Sequence, residues 1–363
     1  MKRKSVLFAL TLALALTLSV SAQAKQVEFK IGLLGDIQTL NFWGSNDINA
    51  SALMEAVMPR FGFMDTDGQI KPHLFESFEI KDNSTTFILH VRPGLKWHDG
   101  VPFTAEDVVF TGEYLMKYKL FQNTRYSNVK SARVVDPMTV EYKLINPQVG
   151  FLDVMMYWVS PMPKHIFENV TNPMAFNYEA TGVVGLGPYK MGEFKKGEYY
   201  IAVRNPDWPA SMGTPKIDRI IYRVYKDENS LALALRTGEI DSATRQILPS
   251  LASQFRNNKN FNVYDVQSPG YAYMSLNTKK SEFLADVAVR RALAMTVDRP
   301  KIVRLALEGA GVPMYGPVSP IYKEFTKSNI QYPAYNVEEA KKTLKAAGYV
   351  DTNGDGFFEK NGK

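Results

Sequence analysis

The chain has 363 residues, 45% of them hydrophobic, and a formal net charge of +6; that length suits two or three folding units with a large buried core. It contains no cysteine, which excludes disulfides, thiol nucleophiles and a lipid-bearing cysteine behind any leader. Three basic residues belong to the leader described next, so the rest of the chain carries 40 basic against 37 acidic residues, a balance that gives no case for nucleic acid or an anionic membrane as partner.

Residues 1–24 read as a secretory signal peptide. Met1-Lys2-Arg3-Lys4 is basic, Val6 to Val20 is almost wholly apolar, and Ala22-Gln23-Ala24 offers the small residues a signal peptidase reads. The apolar stretch of about 15 residues is short against the roughly 20 that span a bilayer. The sequence therefore predicts a soluble periplasmic protein that begins near Lys25 and is not a lipoprotein.

Beyond the leader, Val27 to Leu34 reads as a strand, followed by a loop, Gln38 to Asn46, that holds Phe42 and Trp43 beside Gly44. Asp65-Thr66-Asp67-Gly68 predicts a hairpin turn, Phe87, Leu89 and Val91 alternate on one strand face, and Val134 to Leu144 folds back through Asp136-Pro137. This stretch reads as an antiparallel, β-rich unit. Within it, Asp99-Gly100 supplies a tight turn and Thr104 with Asp107 forms a capping box, with Phe103 and Val108 at the staple positions.

After Glu179 the pattern changes. Gly185-Leu186-Gly187-Pro188-Tyr189-Lys190 enters a strand, Tyr199 to Val203 and Ile217 to Val224 are two more, and a helix over Leu231 to Arg236 is stopped by Gly238. Glu239-Ile240-Asp241 begins a return strand, completing a strand, helix, strand order. Tyr271 to Leu276 reads as a further strand and Val287 to Val297 as a helix. Asp298 caps another helix with Pro300 in its first turn, and Asn336 with Glu339 caps a last one that Gly348 closes.

Catalytic motifs do not appear: there is no nucleophile elbow, no phosphate-binding loop and no zinc-protease motif, and Gly182, Gly185 and Gly187 are mis-spaced for a dinucleotide fingerprint. His73, His90, His98 and His165 lack metal-ligand spacing. Asp351-Thr352-Asn353-Gly354-Asp355-Gly356 matches the first half of a calcium loop, but Gly362 stands at position twelve where a bidentate Glu belongs, so it reads as a connecting turn. The sequence thus points to neither catalytic residues, a metal nor a cofactor; a secreted hydrolase with a hidden acid pair is the competing reading.

Several words together resemble the family-5 extracellular solute-binding proteins of ABC transporters, the oligopeptide, dipeptide and nickel-binding group. They are Leu95 to Thr111, Gly68 to Ile80 (with Phe75 and Phe78 where the family has Ala and Trp), Gly185 to Lys190, Arg204-Asn205-Pro206-Asp207, Gly238 to Asp241, and Val289 to Ala294 with Val297-Asp298-Arg299. The resemblance implies an α/β, type II periplasmic binding protein fold with an inserted β-rich domain. Lobe one would comprise residues 25–56 and 181–267, the insertion 57–180, and a partial lobe two 268–363, incomplete because members run on further. It further implies a non-enzymatic, monomeric subunit that holds a small solute between two lobes and delivers it to a membrane permease. A peptide is the first choice, with oligosaccharide or nickel chelate as alternatives.

Cleft-lining loops of the family correspond here to Leu40 to Asn46, Gln122 to Tyr126 and Ala243 to Ile247. By that resemblance the candidate ligand residues are Phe42, Trp43, Arg125, Tyr126, Arg245 and Gln246. Phe42 and Trp43 could equally anchor their loop, and the arginines could equally be solvated surface groups.

Overall fold

The computed structural model describes residues 26–45, 47–66, 68–176, 178–243, 249–265, 270–320, 322 and 331–360; the predicted leader lies outside them. Two compact units divide the chain between Arg245 and Gln246.

The first unit begins with β1 (Glu28–Leu34), α1 (Ile48–Val57) and a small hairpin of β2 (Gly62–Met64) and β3 (Ile70–Pro72). Next come β4 (Phe75–Lys81), β5 (Thr86–Val91), α2 (Ala105–Tyr118), β6 (Val129–Asp136), β7 (Thr139–Leu144) and α3 (Phe151–Trp158). The chain returns through β8 (Tyr189–Lys195), β9 (Tyr199–Arg204), β10 (Arg219–Tyr225), α4 (Glu228–Thr237) and β11 (Ser242–Ala243).

These strands form two main sheets. One has the order β11-β1-β10-β9-β8, so the first strand lies between two strands from far along the chain and runs parallel to both. Helix α4 makes the crossover from β10 to β11: Asp227 accepts from the Asn229 and Ser230 amides at its start, and Gly238, at φ 72°, ends it. At Gly32 a Cβ would lie 2.3 Å from the Leu231 side chain, so glycine lets α4 pack closely on β1. The return strand begins at Ser242, later than its sequence implies, and just before it the Asp241 carboxylate takes the Lys30 amide at 2.7 Å in place of a ladder carbonyl.

The second sheet is antiparallel in the order β4-β5-β7-β6, and its last hairpin turns at Asp136-Pro137 as read from the sequence. Its inward residues Phe87, Leu89, Val140 and Tyr142 are fully buried. Against that face lies α2, capped as its sequence predicts: the Thr104 hydroxyl accepts from the Glu106 amide, and Asp107 accepts from the Thr104 amide at 3.0 Å. Trp97 and Phe103 pack edge to face beside it, both buried; burying side chains of this size contributes about 1.5–3 kcal/mol each.

The two sheets are joined at His98. Its Nδ1 accepts from the Gly185 amide at 3.0 Å and its Nε2 donates to the Gly187 carbonyl at 3.1 Å. The Leu186 and Gly187 amides both donate to the Val57 carbonyl. Glycine is required there, since a Cβ at Gly185 or Gly187 would lie 2.0 or 2.2 Å from the last carbonyls of α1.

The second unit contains α5 (Pro249–Arg256), α6 (Val287–Thr296), α7 (Arg299–Ala306) and α8 (Val337–Ala346). Helix α6 packs on α8, burying Ala292 and Ala340. Asp286, Asp298 and Asn336 cap their helices by accepting from the Ala288, Lys301 and Glu339 amides. The strand expected over Tyr271 to Leu276 does not form: no strand among the described residues pairs with it, and Tyr271, Tyr273 and Met274 are exposed. Alternation alone cannot hold a strand whose amides and carbonyls lack a neighbour. Among the described residues no helix is long and apolar enough to cross a membrane.

Candidate functional site

The loop between β1 and α1 is built inward. Asn41 donates to the Pro173 carbonyl at 2.7 Å and accepts from the Gly44 amide, closing a tight turn over Phe42 and Trp43. Trp43 donates from Nε1 to the Ser160 carbonyl at 3.0 Å, and its ring packs on Phe167, Tyr178 and Phe42. Both aromatics are mostly buried, which makes them anchors of their loop. Even so, both line a small, solvent-open recess, together with Met54, Arg60, Gln122, Trp158 and Ser160.

On the other side of the recess, α2 ends at Lys119, whose left-handed backbone turns the chain into a short 3₁₀ turn over Asn123–Tyr126. Gln122 opens that turn at φ 76°, a region sparsely populated by residues with a side chain. Arg125 donates from Nε to the Gln122 side-chain oxygen at 3.0 Å, and its guanidinium lies 5.1 Å over the Trp158 ring. Arg60 lies 5.3 Å over the neighbouring Tyr157. Two half-buried cations thus flank one aromatic pair.

Tyr126 is not part of this surface. Its ring is 2% exposed, sits beside Tyr142 and abuts α2, where a Cβ on Gly112 would come within 2.8 Å of it. Burial holds its hydroxyl far above the usual phenol range. Placed so, it fills the core and cannot touch a solute. Arg245 and Gln246 lie outside the described residues. Arg60, Tyr157 and Trp158, which lie beside these loops, were not singled out in the sequence; a cation at the end of a helical apolar run was the one available signal.

Acid–base chemistry finds no purchase at the histidine best buried. Desolvation lowers the His98 pKa to about 4 against an opposing hydrogen bond to the Gly187 carbonyl, and both ring nitrogens are engaged. The carboxylates of Asp351, Asp355 and Glu359 do converge, with ligand atoms within 4.8 Å of one another. Asp351 already accepts from the Gly354 and Gly356 amides and Glu359 from that of Thr352, as in a self-contained turn.

The profile of bacterial extracellular solute-binding proteins, family 5 (middle), matches residues 69–362. The oligopeptide-binding protein AppA of Bacillus subtilis is 32% identical over 348 residues, covering 92% of this chain and 61% of AppA. The glutathione-binding protein GsiB of Escherichia coli is 28% identical, covering 95% of this chain and 66% of GsiB. The chain therefore spans between three fifths and two thirds of the length of these curated relatives. Among solved structures, AppA in complex with a nonapeptide superposes with a TM-score of 0.79 over 93% of this chain and 68% of AppA, at 28% identity. NikZ of Campylobacter jejuni in complex with Ni(L-His) gives 0.76 over 93% and 66%, also at 28%. The fold is accordingly the α/β, type II periplasmic binding protein fold with its β-rich insertion, and the chain belongs to the bacterial extracellular solute-binding proteins of family 5.

Proposed function

We propose that this chain is the periplasmic solute-binding component of an ABC importer, carrying an oligopeptide-like solute to a membrane permease without a catalytic step. The observation that carries the reading is the match to an oligopeptide-binding protein at 32% identity across 92% of the chain. The recess supports it, since it combines an apolar wall, Phe42 and Trp43, with polar groups at the rim, Gln122 and the guanidinium of Arg60. Arg125 belongs to the same rim through Gln122, and we carry Arg245 and Gln246 forward as candidates on the resemblance alone.

Export through the leader at residues 1–24, a monomeric state and the partition into lobe one, insertion and partial lobe two belong to the same proposal. The test is a thermal-shift screen of the purified mature chain against a peptide mixture, oligosaccharides and nickel–histidine. A rise in unfolding temperature with peptides is expected. A shift with oligosaccharides or nickel–histidine alone replaces the peptide assignment by that ligand class.

A further inference from the structure

Arg60 and Arg125 are held by aromatic rings, whereas other arginines of the same unit are held by carboxylates or carbonyls. Arg133, Arg204, Arg219 and Arg223 each meet a carboxylate, and Arg92 donates to the His73 and Phe75 carbonyls. Around Arg60 and Arg125 no carboxylate of the described residues lies within 4.0 Å. Instead their guanidinium carbons lie over Tyr157 and Trp158, two rings that meet edge to face with centroids 5.1 Å apart. Stacking of this kind fixes the plane of a guanidinium and leaves its N–H edge open.

Gln122 adds a third donor. Its side-chain oxygen accepts from Arg125 Nε at 3.0 Å, which leaves the amide NH₂ as the unused end. Its backbone sits at φ 76°, a conformation that glycine would adopt without cost. A side chain kept in that conformation points to a use for the side chain. The serine hydroxyls nearby are already committed, Ser51 donating to the Asp47 carbonyl and Ser160 to that of Met58. What remains at this rim is a set of donors with two permanent positive charges.

We infer that Arg60, Arg125 and Gln122 form a carboxylate subsite, which takes the planar, negatively charged end of a solute while Phe42 and Trp43 back its apolar part. The planar fork of a guanidinium matches a carboxylate. One face of each of Tyr157 and Trp158 is taken by a cation. The inference deepens the solute-binding reading and rests on it for the nature of the solute.

The experiment is calorimetry and tryptophan fluorescence on the mature chain with three probes: tri-alanine, tri-alanine C-terminal amide and succinate. Tri-alanine is expected to bind at least about tenfold more tightly than its amide, the loss typical of removing one partner of a charge-assisted contact. R60Q and R125Q should each abolish that preference without moving the unfolding temperature, and R60K should restore part of it. Equal affinity for acid and amide overturns the subsite and leaves the solute-binding reading standing. Binding of succinate without either peptide form upholds the subsite and overturns the peptide assignment. No response to any probe at millimolar concentration overturns the subsite.

Discussion

The two units use the same local devices and reach different degrees of burial. In the first, Trp97, Phe103, Phe87, Tyr142, Phe151 and Phe167 are all buried in one continuous apolar cluster. In the second, the buried apolar residues among those described are Leu251, Phe255, Ala292, Ala340 and Tyr349, while Ile302, Leu305, Tyr271, Tyr273 and Met274 stand exposed. Side-chain helix caps nevertheless form in both: Asp47, Thr104 and Asp227 in the first, Asp286, Asp298 and Asn336 in the second. A cap needs only its own first turn, whereas a core needs elements brought from elsewhere in the chain.

The largest expected break in this contrast is W97A. Trp97 is 1% exposed and packs edge to face on Phe103, so its truncation should destabilise the first unit by about 3–5 kcal/mol. Hydrogen exchange resolved by segment is the measurement. Protection should fall across residues 75–158 and stay unchanged across α6 and α8; uniform loss in both units would show that they unfold as one.

The next effect is a histidine-linked dependence on pH, placed in the first unit because His73, His90, His98 and His165 all lie there. Burial lowers the His98 pKa from 6.5 to about 4, so the unfolded chain binds the proton more readily than the native one. The resulting stability is fully present above pH 6.5 and is lost as pH falls toward 4, up to about 3 kcal/mol in all. His73 shifts in the same direction, through burial and then the Arg92 charge. Urea midpoints at several pH values on the native chain and on H98Q check this: the native slope should be steep over that window and the variant's shallower. Equal slopes would assign the acid sensitivity elsewhere.

How much of this was legible follows the same division. The Thr104 capping box, the Asp136-Pro137 turn, the Gly238 helix stop and the β10-α4-β11 order could be read because each depends on a few adjacent residues. Tyr271 to Leu276 alternates correctly but finds no strand to pair with, and pairing is not written in one segment. At the site, Phe42 and Trp43 were visible as aromatics in a loop, but not that the Trp43 indole would be fixed by Ser160. Tyr126 looked like a loop residue and is core, because Gly112 on α2 leaves room for its ring. Arg60 was hidden for the opposite reason, since what marks it is a ring from α3, far along the chain.

A smaller effect tests whether caps are indifferent to the core around them. T104A and N336A each remove a side-chain acceptor at a helix start, from the Glu106 and Glu339 amides respectively. Each should cost about 1 kcal/mol locally, read as faster exchange in the first turns of α2 and α8. A much larger loss for T104A would mean that its cap is coupled to the buried Asp107, which also accepts from the Lys164 amide.

The smallest effect is the sharpest test of the second unit. Leu305 lies on α7, is 65% exposed and contributes to no buried cluster. L305Q therefore removes no burial and should change stability by less than about 0.5 kcal/mol, while lowering the tendency of an apolar helix face to self-associate. Chemical unfolding combined with sedimentation at two concentrations separates these terms. A loss of about 2 kcal/mol or more, of the size expected for a truncated core leucine, would show that α7 is covered in solution. The contrast between the units would then lie in what surrounds the second one and not in its sequence.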